Sequence, residues 1–361
     1  MCYHKTNILF LLPSFRKGGE AKNTLNILNA LDTERFNLYL LICSNENNDL
    51  KDYLENDVNI IELNPSTNVK ASLSIIRTLQ NIQPDITFTS FVELNYMVGI
   101  YKKNSTKKII SVLRFNTLPS NNLTLNLSYN SKERVNCSVE AADSIIAQSV
   151  EMRDEITKYY PSSKSKVNVI SNAINHQQIK RLSDEYIPYE DYNGTTLVAI
   201  GSLWEVKGFD FLIRAVGKLV YDHNQDIRLF IVGENMTPDS GYDEYLQALI
   251  ADLKLEKYIS FVGYKSNPYP YLKHADVFVL SSLMEGFPNV VLEALSLHVP
   301  CVVTNCVDFS NIIIPNANGV IVQKAEVDSL VEGILEAKDI GFKKQKGSDF
   351  DYNEWFGGLL A

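Results

Sequence analysis

The feature that most constrains this chain is a rhythm. Short apolar runs alternate with longer stretches of helical period, and the alternation occurs twice. In the first series the runs are Asn7–Leu12, Asn37–Cys43, Ile60–Leu63, Ile86–Thr89, Lys108–Val112, Ser144–Ala147 and Val167–Ile170. Helical stretches such as Ala21–Leu31, Ser72–Asn81, Glu133–Ala142 and Glu151–Tyr159 lie between them. Runs too short to be helices, separated by helices, build βαβ units and hence a parallel sheet. The rhythm lapses over residues 172–193, which are polar, contain Pro188 and show no clear period. It then restarts with Thr196–Ile200, Arg228–Val232, Ile259–Phe261, Val277–Leu280, Pro300–Thr304 and Gly319–Val322. Phe209–Val220, Asp243–Leu253, Pro288–Leu297 and Val327–Ala337 fill the gaps as helices. The expected fold is α/β: two Rossmann-like, doubly wound parallel-sheet domains, over residues 1–172 and 195–344, joined by a linker over 173–194. In such sheets ligands bind beyond the carboxyl ends of the strands.

Composition narrows the function. A chain of 361 residues can bury two cores of ordinary size. Hydrophobic residues make up 45% and charged residues 21%, normal for a soluble protein. No run approaches the roughly 18 apolar residues of a membrane span. The run Ile8–Leu12 ends at Pro13 and lacks a cleavage pattern, so it reads as a strand and not as a signal peptide. The cysteines Cys2, Cys43, Cys137, Cys301 and Cys306 are scattered, with no CxxC pair. Reduced thiols in the cytoplasm and no metal site are the expectation. Residues 1–170 hold 19 Lys and Arg against 17 Asp and Glu, and the remainder 15 against 26. So acidic a second half argues against a nucleic-acid partner. Lys102, Lys103, Lys107 and Lys108 cluster in the first half. They read either as a solvated loop or as a patch for peripheral contact with anionic membrane, on its inner, cytoplasmic face.

Four segments carry candidate chemistry. In EGFPNVVLE, Glu285 to Glu293, Pro288 suits the first helical position. The N–H groups of Gly286, Phe287, Asn289 and Val290 then lie at or before a helix start, where unpaired donors and the helix dipole favour an anion such as a diphosphate. Glu293 falls on an otherwise apolar helix, where a carboxylate needs hydrogen-bond donors, and a pair of ribose hydroxyls could supply them. Glu285 could accept from sugar hydroxyls. Both could equally be ordinary surface or dipole-complementing glutamates. In GSLWEVKG, Gly201 and Gly208 mark tight backbone and Lys207 brings a cation to a βα loop, where it can meet a phosphate or simply face solvent. Gly18 and Gly19, between the first strand and helix, allow close approach of a phosphate or make a plain turn. Arg114, Phe115 and Asn116 follow a strand and face either the acceptor or the donor phosphates, or form a structural loop. The histidines are isolated and suggest no catalyst.

In their order, these segments resemble glycosyltransferase family 4, nucleotide-sugar-dependent retaining enzymes of GT-B architecture. The resemblance runs from Ile8 to about Ala337 and includes KGGEAKNTL, ADSIIAQSVEMRDEI, KVNVISNAIN, GSLWEVKG, RLFIVGE, ISFVGY, ADVFVLSSLMEGFPNVVLEALSLHVPCVVT and NGVIV. It implies two domains facing across a cleft, with a C-terminal helix at about 345–361 crossing back to the first. The family's Glu-x7-Glu motif maps onto Glu285, the donor-sugar contact, and Glu293, the ribose contact. Its phosphate lysine maps onto Lys207 and its glycine loop onto Gly18 and Gly19. Gly201, Ser202 and Gly233 would line the donor, with the nucleobase near Tyr264 and Lys265, and Arg114 and Asn116 on the acceptor side. Two departures stand out. Gly201–Ser202 replaces a frequent Gly-Arg, and Arg114–Phe115 fill a region where many members carry a histidine. The implied activity is transfer of a hexose or N-acetylhexosamine from a nucleoside diphosphate sugar, a UDP-sugar, to a hydroxyl of a lipid-linked surface glycan such as lipopolysaccharide or capsule. The sugar nucleotide is then a co-substrate, with no cofactor or metal. A nucleotide-sugar epimerase on the same fold and a non-catalytic sugar-nucleotide-binding protein are the alternatives.

Overall fold

The computed structural model describes residues 5–16, 18–44, 48–64, 68–120, 132–190, 192–235, 241–310, 312–342 and 352–360. The chain divides into two compact units, residues 1–173 with 348–361, and residues 174–347. In the first, strands β1 (Thr6–Leu12), β2 (Phe36–Ile42), β3 (Val58–Glu62), β4 (Ile86–Thr89), β5 (Ile110–Arg114), β6 (Ser144–Ala147) and β7 (Val167–Val169) form one parallel sheet in the order 3-2-1-4-5-6-7. Helices α1 (Gly19–Ala30), α2 (Asn68–Ile82), α3 (Val92–Asn104), α4 (Lys132–Ala141) and α5 (Val150–Tyr159) connect them. Because crossover helices cover both faces of a parallel sheet, its central strands are largely buried on both faces. Ile8 to Leu12 are all buried. The edge strands β3 and β7 need less cover and are partly exposed.

The second unit repeats the plan. Strands β8 (Thr195–Ile200), β9 (Ile227–Val232), β10 (Ile259–Gly263), β11 (Val277–Leu280), β12 (Cys301–Thr304) and β13 (Gly319–Val322) pair in parallel in the order 10-9-8-11-12-13. Its helices are α6 (His176–Leu182), α7 (Phe209–Tyr221), α8 (Tyr242–Asp252), α9 (Tyr269–Lys273), α10 (Asn289–Ser296) and α11 (Val327–Ala337). α7 shows why the sequence folds this way. Phe209, Leu212, Ile213, Val216, Leu219 and Val220 recur every three or four positions and are all buried against the sheet.

Several expectations need correction. Residues 173–194 are not a free linker. α6 buries Ile179 and Leu182 in the second unit's core. The tyrosines that follow strap the segment down: Tyr186 Oη donates to the Asn267 carbonyl at 2.6 Å, and Arg228 lies over the rings of Tyr189 and Tyr192 at 4.5 Å. A spacing of three between tyrosines carries no strand or helix signal, which is why the stretch reads as a linker. The expected C-terminal helix is α12 (Tyr352–Gly358), with 343–351 and Ala361 outside the described residues. It belongs to the first unit, where Phe356 lies 6.0 Å from Phe10 and 6.1 Å from Phe88, ring centre to ring centre. The lysine cluster is not a patch of four free cations. Lys102 is tied to Asp143 and the Ala141 carbonyl, and Lys107 to Asp85, leaving Lys103 and Lys108 exposed. Among the described residues no helix is long and apolar enough to cross a membrane.

Candidate functional site

Strand order in each sheet reverses once, between β1 and β4 in the first unit and between β8 and β11 in the second. Connections leave such a pair of strands in opposite directions and open a crevice at their carboxyl ends. In the second unit the candidate residues gather there. β8 runs into Gly201 and Ser202, then a single 3₁₀ turn, Glu205–Lys207. β11 runs into Ser281, Ser282 and Glu285.

The two loops lock together. The Leu283 N–H donates to the Val206 carbonyl at 2.7 Å, and Ser281 Oγ to the Lys207 carbonyl at 2.8 Å. Gly208 makes the approach possible. Its φ is +60°, and a Cβ there would fall 2.3 Å from the Ser281 carbonyl oxygen, so only glycine fits. The locked loops bring together side chains 78 positions apart: Lys207 Nζ donates to Glu285 Oε1 at 2.6 Å. Ser282 Oγ donates to the same oxygen at 2.7 Å. Side-chain exposures of 22% for Lys207 and 13% for Glu285 leave both within reach of a ligand while limiting the water that screens them. The stem of Lys207 runs past Gly201, and Gly201 in turn abuts Gly233, where a Cβ would meet the Gly201 carbonyl at 1.8 Å. The Gly233 N–H donates to the Gly263 carbonyl, placing the following Tyr264 and Lys265 beside this glycine seam. Tyr264 is 40% exposed. The thiol of Cys306, beside the same charges, is pushed up to about 11 by burial, so it is no nucleophile at neutral pH.

The helix after Glu285 differs slightly from expectation. Pro288 is the residue before α10, with extended backbone, and the helix ends at Ser296. Pro288 offers no side-chain cap to the first turn. Phe287 is buried against Phe309, which gives it a packing role. Asn289 and Val290 open the helix, half-buried, and Gly286 precedes it. Glu293 is 5% exposed, one turn into α10, and lies outside the Lys207–Glu285 bonds.

At the reversal in the first unit the outcome differs. Arg114, the last residue of β5, is 2% exposed. Its Nη1 donates to both carboxylate oxygens of Glu20, at 2.8 and 2.7 Å, and its Nη2 to Asn172 Oδ1. The expected role as a cation for substrate is therefore corrected: the guanidinium is already matched by a carboxylate in the first turn of α1. Gly18 and Gly19 sit just before Glu20. Gly19 is the first residue of α1, not part of the preceding loop, and Gly18 has extended backbone that any residue can adopt. A Cβ would meet nothing closer than 4.0 Å at Gly18 and nothing within 4 Å at Gly19, so the fold itself does not demand glycine at either. Ser90, Glu93, Arg114, Phe115, Asn116 and Thr117 are among the residues lining a cavity of about 230 Å³ past the ends of β4 and β5.

Ser281, Ser282 and Thr304 are the residues that sequence reasoning missed. A Ser-Ser pair reads as a plain turn, and only the folded loops show what each hydroxyl meets.

A family model described as glycosyl transferases group 1 matches residues 194–339, the unit that holds Lys207 and Glu285. The chain is 30% identical over 254 residues to an uncharacterized glycosyltransferase of Methanocaldococcus jannaschii, covering 66% of this chain and 60% of that one. It is 30% identical over 164 residues to the Campylobacter jejuni N-acetylgalactosamine-N,N'-diacetylbacillosaminyl-diphospho-undecaprenol 4-alpha-N-acetylgalactosaminyltransferase, 45% of this chain and 42% of that one. These matches span about half the length of the curated relatives. Among solved structures, Anabaena HepE in complex with UDP aligns with a TM-score of 0.72 at 18% identity, over 93% of this chain and 92% of that one. The lipopolysaccharide outer core galactosyltransferase WaaB in its apo form gives 0.71 at 18%, over 98% and 99%. The fold is thus GT-B, with two parallel-sheet α/β units. Most of the second unit thus matches the glycosyl transferases of group 1, and the chain is similar to glycosyltransferases beyond it.

Proposed function

We propose that this protein is a retaining glycosyltransferase that moves a hexose or N-acetylhexosamine from a UDP-sugar to a hydroxyl of a lipid-linked glycan, in the cytoplasm. The observation that carries the reading is the Lys207–Glu285 pair at the strand-order reversal of the second unit, bonded to a buried serine and open to a ligand. Lys207 provides the charge that a leaving diphosphate needs, and fixed charge of this kind is commonly the largest single contribution to catalysis. Glu285 accepts hydrogen bonds from the donor sugar, and Glu293 from the nucleotide ribose. Gly201, Ser202 and Gly233 line the diphosphate, and Tyr264 and Lys265 the base. In the first unit, the space beside Gly18 and Gly19 leaves room for a ligand near the backbone. Asn116, on the cavity of the first unit, is the acceptor-side contact. The bond from the anomeric carbon to the diphosphate oxygen breaks and the bond to the acceptor oxygen forms on the same face. The acceptor proton leaves with the diphosphate oxygen. In this reading the protein's own cation suffices, and no cofactor takes part. Support for the donor comes from HepE, whose structure holds UDP, and for the acceptor from the Campylobacter relative, whose name specifies a diphospho-undecaprenol substrate.

Release of UDP from a panel of UDP-sugars, measured with and without a lipid-diphosphate sugar acceptor, tests the reading. Acceptor-dependent release is expected. Interconversion of the sugar nucleotide without any acceptor would replace the transferase with an epimerase.

A further inference from the structure

Two hydroxyls at the site have so far been given no role of their own. Ser282 is 1% exposed, and its Oγ donates to the one Glu285 oxygen that Lys207 also meets. Thr304, the last residue of β12, is fully buried and donates its Oγ1 to the Ser282 carbonyl. The carboxylate is therefore gripped from two sides. One grip is a flexible, partly exposed ammonium. The other is a short side chain on a buried loop, pinned to a neighbouring strand.

These grips respond differently to a ligand. A diphosphate carries more negative charge than a carboxylate and competes for the ammonium, which can swing on its four-carbon stem. Ser282 cannot follow. Its loop is held by Thr304, by Ser281 on the Lys207 carbonyl, and by Leu283 on Val206. Once the lysine turns to phosphate, the serine is the remaining fixed donor to Glu285.

We propose that Ser282, anchored by Thr304, is a positioning residue that keeps Glu285 aimed at the donor sugar when the diphosphate takes Lys207. The proposal rests on the reading of this unit as the nucleotide-sugar site. It predicts a separation that a purely structural serine would not produce. The nucleoside diphosphate engages Lys207 and does not need an oriented Glu285, whereas the attached sugar does.

The test is calorimetric titration of the full chain, unmodified and as Ser282→Ala, with UDP, UDP-glucose and UDP-N-acetylglucosamine. UDP should bind both proteins within about twofold. The sugar nucleotide that the unmodified protein binds should bind Ser282→Ala about ten- to hundredfold more weakly, the range for losing a hydrogen bond to a charged group. Thr304→Val should move the same ratio in the same direction by less, and it supplies the reading if Ser282→Ala does not fold. An equal loss for UDP and its sugar would make Ser282 a mere clamp between loops and overturn the proposal, as would no change in either. An unmodified protein that binds none of the three probes sinks the donor reading itself, and the role of Ser282 with it.

Discussion

Arg114 and Lys207 hold comparable places in their own sheets. Each lies at or just past the carboxyl end of a strand near the reversal of strand order, and each is bonded to a carboxylate brought from far along the chain. The difference is access. Arg114 ends its strand, is itself buried, and donates to both carboxylate oxygens of Glu20 and to Asn172. Lys207 sits in a loop beyond its strand, and its partner is shared with a serine. A buried, forked ion pair contributes mainly when it is left intact, because removing one partner strands the other. A partly exposed pair between a flexible cation and a carboxylate that keeps a second donor can open at less cost. Position in the fold alone therefore does not make a cation functional. The number of partners that it has already matched decides.

The contrast can be broken in several ways. The largest effect should come from Glu285→Ala, which should lower kcat by roughly a thousandfold or more, the scale for losing a preorganised polar group in a transition state. Its melting temperature should stay close to that of the unmodified protein, since Glu285 is not in either core. Turnover at the normal rate would remove Glu285 from the site. Arg114→Met should do the opposite. It should cost the first unit about 1–3 kcal/mol by removing the donor to the partly exposed Glu20 and to Asn172, a loss read in urea or thermal unfolding, while the affinity of the second unit for UDP stays unchanged. A weakened UDP affinity without loss of stability would reverse the roles assigned to the two cations. Gly208→Ala should cost about 2 kcal/mol, since φ is positive and the new Cβ meets Ser281 backbone. It should also weaken UDP binding by displacing Lys207. The smallest effect concerns Cys306. With its thiol pushed up to about 11, alkylation at pH 8 should spare it while the exposed Cys137 reacts, as peptide mass mapping would show.

The same contrast explains what could be read from the chain. The thirteen described strands stand within two residues of the apolar runs, because most strands of a sheet covered on both faces are rich in apolar residues. α3 and α6 show no period in the sequence that would mark them as helices. α6 is seven residues, too short to show a period. α3 carries buried Asn95 and Gly99 where an apolar stripe would place larger residues. At the site, Lys207 and Glu285 were legible as residue types in suggestive loops, but their pairing depends on loops closed over Gly208. Ser282 and Thr304 were not legible. A hydroxyl acquires a role only through what it touches, and Thr304 touches Ser282 from another strand. The burial of Arg114 was hidden for the same reason, since Glu20 lies 94 positions away.

The central claim is that the second unit is a diphosphate-donor site built on Lys207. Titration of UDP into the unmodified protein and into Lys207→Met tests it most directly. The account predicts saturable binding that stabilises the unmodified protein by about 2.7 kcal/mol at a hundredfold excess over Kd, and a Kd at least tenfold higher in Lys207→Met with the fold intact. Equal UDP affinity in the two proteins would contradict it.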